Sequence, residues 1–236
     1  MTPDSNRCER IKTLAAFLRE HGDVVLNGTR RLTLTTSCLN ELNYIFRQFL
    51  GAQENESFDV PFGCSANSDF VHDVFFLHDF MQKTCSLKIV QSSQTIQGSL
   101  DLSKFHGLKI LELKRVPPHL LVGLETLVLQ IETLICQRNI SSLKEILRSR
   151  NKVPQPWMKI KVANFSYNGI TALDDSLVNN ASLSSQHHCY NDTHYGDKEG
   201  NAICLSISCM GSATLPHSIE FSIVGLPKRK RLEIQK

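Results

Sequence analysis

After Asn180 the chain gathers side chains that could hold a soft metal: His187, His188, Cys189, His194, Cys204, Cys209 and His217. A structural zinc site needs thiolates or imidazoles presented in closely spaced pairs, and neither a Cys-x-x-Cys nor a His-x-x-x-His step is present. His72 and His78 stand six residues apart on a predicted helix, so they cannot share one face as an i, i+4 pair does. No metal and no cofactor is expected. Eight cysteines and nine histidines supply nucleophile and base types in plenty. There is, however, no Gly-x-Ser-x-Gly elbow, Gly-rich phosphate loop, His-Glu-x-x-His helix or kinase motif set to organise them. No catalytic residue is nominated, and neither enzymatic activity nor a small-molecule substrate is expected.

Cationic chemistry is concentrated at the end, where Lys228, Arg229, Lys230 and Arg231 form a nuclear-import-like run. The net charge of +3 rests on the last ten residues, which hold five cations and one acid, leaving the remainder slightly negative. Such a body does not attract nucleic acid through its overall field, so nucleic acid is not the expected partner. The alternative reading is a nuclear or nucleic-acid-associated protein acting through this tail.

The cysteines, at irregular spacings and with no secretory signal among the charged first twenty residues, are expected as reduced thiols. The uncharged run Asn201 to Ile219 is broken by Gly211 and Pro216 and filled with hydroxyls, so no transmembrane segment is expected. A cytoplasmic location follows as the expectation. Six Asn-x-Ser/Thr sequons, at Asn27, Asn55, Asn139, Asn164, Asn180 and Asn191, are then idle.

The elements come next. Ile11, Leu14, Ala15 and Leu18 at helical spacing predict a first helix over 5 to 21 with Gly22 as a left-handed cap. Val24 to Leu26 and Leu32 to Leu34 read as short strands about the turn dipeptide Asn27-Gly28. A second helix opens at Ser37 with Leu39, Leu42, Phe46, Phe49 and Leu50 on one face and closes at Gly51. After a polar loop, a third helix carries Val71, Val74, Phe75, His78 and Met81.

From Thr84 a frame recurs: Leu108, Leu111, Leu113 and Val116; Ile131, Leu134, Cys136 and Asn139; Ile160, Ala163, Phe165 and Asn168; and, more weakly, Thr84, Leu87 and Ile89. The intervals of 23, 24 and 29 residues fall in the range of leucine-rich repeats. In such a repeat a short strand turns alternate side chains inward, and the asparagine amide satisfies backbone groups left open at the turn. Convex apolar residues would be Leu120, Leu124, Leu143, Ile146 and Leu147, with Ser142 and Glu145 as a capping box. The expected fold is therefore α/β: a short leucine-rich-repeat solenoid with a helical amino-terminal cap and an irregular carboxy-terminal tail. Its expected divisions are a cap region at 1–83, repeats at 84–178 and a divergent, poorly ordered tail at 179–236.

Repeats of this kind carry no chemistry themselves; they present strand residues to another protein. Those facing outward would be Lys88, Val90 and Gln91; Glu112, Lys114 and Arg115; Ile135, Gln137 and Arg138; Asn164, Ser166 and Tyr167. Of these, Lys88, Gln91, Glu112, Lys114, Arg115, Gln137, Arg138, Asn164 and Tyr167 are the candidate protein-binding residues. Four bases against one acid predict an acidic patch on the partner.

Leu18 to Gly28, Gln82 to Val90, Leu108 to Leu124, Ile131 to Leu147 and Ala163 to Leu177 together resemble the amino-terminal part of the liver kinase B interacting protein family, the serine/threonine kinase 11-interacting proteins. The resemblance covers approximately residues 8 to 178. It implies a non-catalytic cytoplasmic adaptor that binds a serine/threonine protein kinase of the liver kinase B type and influences where that kinase resides. Since the pattern stops near Val178, the last apolar layer, around Phe165, Ile170 and Leu173, is expected to be exposed.

Overall fold

The computed structural model describes residues 3–50, 68–92, 98–147, 157, 159–170 and 206–208. The chain forms two compact units, Met1–Leu108 and Lys109–Lys236.

In the first unit, helix α1 (Pro3–His21) leads through Gly22 into the short helix α2 (Asp23–Leu26), then strand β1 (Leu32–Thr35), helices α3 (Thr36–Leu50) and α4 (Ser68–Lys83), and strands β2 (Ser86–Val90) and β3 (Leu100–Asp101). Strands β1 and β2 pair in parallel, Leu32 beside Leu87 and Leu34 beside Ile89, with all four side chains buried. Helix α4 packs on both α1 and α3. Ile11, Ala15 and Leu18 of α1, Leu39, Leu42, Phe46 and Phe49 of α3, and Phe70, Val74, Leu77 and Met81 of α4 make the core.

Charged pairs fix the helix orientations around that core. Arg10 donates to both carboxylate oxygens of Glu41 at 2.9 and 2.6 Å, and Arg19 Nη1 donates to Asp73 at 2.5 Å while its guanidinium lies 4.6 Å from the Phe76 ring centroid. The arginines are about half exposed, so the pairs set geometry more than stability.

Two local readings are corrected in this unit. Val24 to Leu26 are helical, because the chain leaves α1 with Gly22 in ordinary right-handed geometry, φ −70°, instead of a left-handed cap. The left-handed residue is Gly28, φ 79°, in the Asn27-Gly28 turn, where Asn27 Oδ1 accepts from the Thr29 amide at 2.9 Å. On α4 the buried face includes Phe70, Leu77 and Phe80, whereas Phe75 is exposed.

In the second unit, strands β4 (Ile110–Lys114), β6 (Thr133–Gln137) and β7 (Val162–Asn164) run parallel, and β8 (Ser206–Ser208) pairs antiparallel to β7. The link from β4 to β6 carries a 3-10 turn at Pro118–Leu120, strand β5 (Leu121–Val122) and helix α5 (Leu124–Leu127); helix α6 (Lys144–Leu147) follows β6. Leu111, Leu134 and Ala163 stand side by side in register, as do Leu113 and Cys136, and all five are fully buried. Glu145 Oε1 closes the predicted box at the start of α6, accepting from the Ser142 amide at 3.0 Å and the Ser141 amide at 2.8 Å.

The expected leucine-rich-repeat solenoid is corrected to an α/β fold of parallel strands and helices. Strand β1 lies within the segment read as a helical cap and pairs with β2; β8 comes from the tail read as irregular and pairs antiparallel. The physical reason lies in what the leucine frame measures. Apolar side chains at every second position are what any strand buried on one face requires, so the frame locates buried positions without fixing the architecture around them. The exposed end layer is corrected as well: Phe165 and Ile170 are fully buried, and Leu173 lies outside the described residues.

Among the described residues no helix is long and apolar enough to cross a membrane. Cys8 is disulfide-bonded, against the expectation that all eight cysteines are reduced, while Cys38, Cys85 and Cys136 are free.

Candidate functional site

Parallel strands that start in register also end in register, so the residues just past them form a row. In the second unit that row is Arg115 after β4, Arg138 after β6 and, beyond Asn164 of β7, Tyr167, with Lys114 and Gln137 as the last residues of β4 and β6. The turns are joined by main-chain hydrogen bonds: the Arg115 amide donates to the Gln137 carbonyl at 2.8 Å and the Arg138 amide to the Tyr167 carbonyl at 3.2 Å.

Arg115, Arg138 and Tyr167 share a backbone state absent from the sequence reading. Their φ values are 61°, 56° and 60°, the left-handed region, and among the described residues they are the non-glycine residues that occupy it. A side chain there costs about 1–2 kcal/mol relative to glycine. All three project into solvent, Tyr167 being 47% exposed. Backbone strain is thus held at three exposed side chains, two arginines and a tyrosine.

Behind the row, asparagines hold the turns. Asn168, 4% exposed, donates through Nδ2 to the carbonyls of Cys136 at 2.7 Å and Phe165 at 2.8 Å, and its Oδ1 accepts from the amides of Asn139 at 3.0 Å and Ile140 at 3.3 Å. Asn139 Nδ2 in turn donates to the Val116 carbonyl at 3.0 Å. Asn164 Oδ1 accepts from the Ser166 amide at 2.9 Å. The row is thus mounted on buried, hydrogen-bonded turns.

The remaining candidates fall unevenly. Lys114, Gln137 and Asn164 are half-buried in the second unit; Lys88, half-buried, and Gln91, exposed, belong to β2 and its exit in the first. Glu112 is corrected: at 6% exposure it is buried and offers no open surface. Alternation gave its direction and not its depth, for beside it on β6 stands Ile135. With that carboxylate sunk, the accessible charge of the row is positive.

No cluster of three or more metal-ligating side chains occurs among the described residues. His72 is exposed, and His78 packs edge-on against Phe46 at 5.3 Å; burial first, then the charges of Lys104 and His106, hold its pKa below the usual value. The segment from His187 to His217 and the basic run Lys228, Arg229, Lys230 and Arg231 lie outside the described residues. Full burial pushes the Cys136 thiol up to about 12, so at pH 8 the folded chain holds no thiolate there to react. Iodoacetamide at pH 8 is expected to leave Cys136 unmodified in the native protein and to alkylate it in urea, read by peptide mass spectrometry.

Residues 5–93 match the model of the family described as LKB1 serine/threonine kinase interacting protein 1. The serine/threonine-protein kinase 11-interacting protein of Homo sapiens is 41% identical over 170 residues, 70% of this chain and 16% of that protein. Its counterpart from Gallus gallus is 38% identical over 172 residues, 71% of this chain and 16% of its own length. The mouse protein, from Mus musculus, is 38% identical over 170 residues, again 70% and 16%. The chain therefore spans 16% of the length of the curated relatives it matches. The resemblance read from the sequence is borne out: residues 5–93 match the LKB1 serine/threonine kinase interacting protein 1 family, and about seven-tenths of the chain is similar to the serine/threonine-protein kinase 11-interacting proteins.

Proposed function

We propose that this chain is a non-catalytic cytoplasmic adaptor that binds a serine/threonine kinase of the liver kinase B type and influences the kinase's cellular location. The observation that carries the reading is the row of Arg115, Arg138 and Tyr167, each held in left-handed backbone on fixed turns and exposed. Lys114, Gln137 and Asn164 flank it, and Lys88 and Gln91 are independent contacts on the first unit. The names of the three relatives support the partner class. The charge of the row selects an acidic patch on that kinase, because cations at a rim speed encounter with an oppositely charged surface.

Two kinds of substitution test it on the full chain, with the purified kinase as analyte in surface plasmon resonance. R115N/R138N removes both charges and leaves a residue that tolerates left-handed backbone. It is expected to weaken binding about tenfold or more, given that a hot-spot arginine contributes on the order of 2 kcal/mol. R115G/R138G is expected to weaken binding equally while raising unfolding stability by about 1 kcal/mol per site, measured in urea. Unchanged kinase binding in both variants, with circular dichroism unaltered, would remove the row from the function.

A further inference from the structure

The opposite ends of the same strands form a second row. The residues just before β4, β6 and β7 are Lys109, Glu132 and Lys161, locked together by the main chain: the Glu132 amide donates to the Lys109 carbonyl at 2.8 Å and the Lys161 amide to the Glu132 carbonyl at 2.7 Å. Rows on neighbouring strands are about 4.8 Å apart, so a lysine stands on each side of the glutamate. Lys161 Nζ closes on Glu132 Oε2 at 2.6 Å, and the charges of Lys109 and Lys159 also reach that carboxylate. All three lysines are exposed, whereas Glu132 is half-buried. One acid among three cations leaves an excess of two positive charges on a rigid edge.

From Lys109 to Arg115 is six strand steps, about 20 Å. That is more than twice the screening length of roughly 8 Å at physiological ionic strength. Cations at the two edges therefore act on different anions, and the entry edge is a site in its own right.

We infer that Lys109, Lys159 and Lys161, arranged around Glu132, form a second docking point that takes an acidic segment of a partner protein. Half-buried Ile110, Thr133 and Val162 stand one step further along the strands and form an uncharged shelf beside the lysines. A run of carboxylates can engage the lysines while its backbone lies along that shelf, without burying any charge far from water. Glu132 tempers repulsion among the lysines when the site is empty and competes with an incoming acid for Lys161. Removing its charge must then strengthen the site, which a merely structural ion pair would not do.

The probe is a fluorescein-labelled hexaglutamate peptide, titrated with the full chain by fluorescence anisotropy at 50 and 200 mM NaCl. K109E/K159E is expected to weaken binding about tenfold at the lower salt, and more steeply than any effect at the higher salt. E132Q is expected to tighten it about threefold. The same two changes made in the R115N/R138N background must keep their effect there, which separates this site from the strand-exit row: kinase binding can fail while this holds, and the reverse. Unaltered binding in K109E/K159E, unaltered or weaker binding in E132Q, or tighter binding of a single-stranded hexanucleotide than of hexaglutamate would each overturn the inference.

Discussion

Asn168→Ala is expected to destabilise the second unit by about 4 kcal/mol, seen as a lower urea midpoint with little change in slope. The side chain is almost wholly buried and answers five main-chain groups: three carbonyls, of Cys136, Phe165 and Ser166, receive its amide protons, and two amides, of Asn139 and Ile140, donate to its oxygen. Each buried group left without a partner costs about 1–3 kcal/mol, and partial relaxation keeps the total below the sum. Asn168→Asp separates the two halves of this role. It keeps the acceptor for the two amides but sets a carboxylate against the three carbonyls, so its folded-state pKa must rise above the unfolded value. The sign is then fixed: stability of this variant is greatest below the unfolded pKa, where the protonated acid can donate, and is lost as pH rises through the folded pKa. Asn164→Ala, whose half-buried side chain answers the single amide of Ser166, is expected to cost no more than about 1 kcal/mol.

What could be read from the chain alone followed from how much each signal constrains. Ile11, Ala15 and Leu18, and Leu39, Leu42, Phe46 and Phe49, are buried as their spacing demands, because polar residues interrupt them and leave one face available. On α4 the run from Phe70 to Phe80 is apolar at so many positions that several faces fit, and the face around Phe75 gave way to one including Phe70, Leu77 and Phe80. Val24 to Leu26 carry β-branched residues but only four residues of room directly behind α1, where continuing the helix costs less than opening a strand. The frame from Leu108 to Asn168 placed the inward residues and the turn asparagines correctly, since burial and hydrogen bonding are local demands. It gave the wrong architecture because strand partners are set by the whole chain: nothing in Leu32 to Thr35 names Leu87 to Val90 as neighbours, and nothing in Ser206 to Ser208 names β7. For the candidate residues at the strand exits, the sequence carried type and position but not depth or strain. Glu112 looked exposed by alternation and is buried, whereas the left-handed state of Arg115, Arg138 and Tyr167 had as its one available signal a recurring position just past each strand.

Gly22→Ala is the second large effect, and it distinguishes two reasons for a glycine at the end of a helix. Were Gly22 a left-handed cap, alanine would suffer backbone strain alone, about 1 kcal/mol. Its φ of −70° suits any residue, so the requirement lies elsewhere. A Cβ at this position would collide with the Leu18 carbonyl oxygen and come within 2.5 Å of Phe80 Cε2, where α4 presses its ring into the junction of α1 and α2. Phe80 is 3% exposed and cannot swing out, so the strain must be taken up by the α1–α2 junction itself. Overpacking of this kind costs about 3 kcal/mol, and the loss is expected as a lower urea midpoint of the helical circular dichroism signal. In a Phe80→Leu background the ring no longer meets the new methyl, so the further cost of Gly22→Ala should fall to the share set by the Leu18 carbonyl, giving a coupling of about 1 kcal/mol or more between the two positions. Additive effects would mean that the ring plays no part, and would return the glycine to a role in the backbone alone.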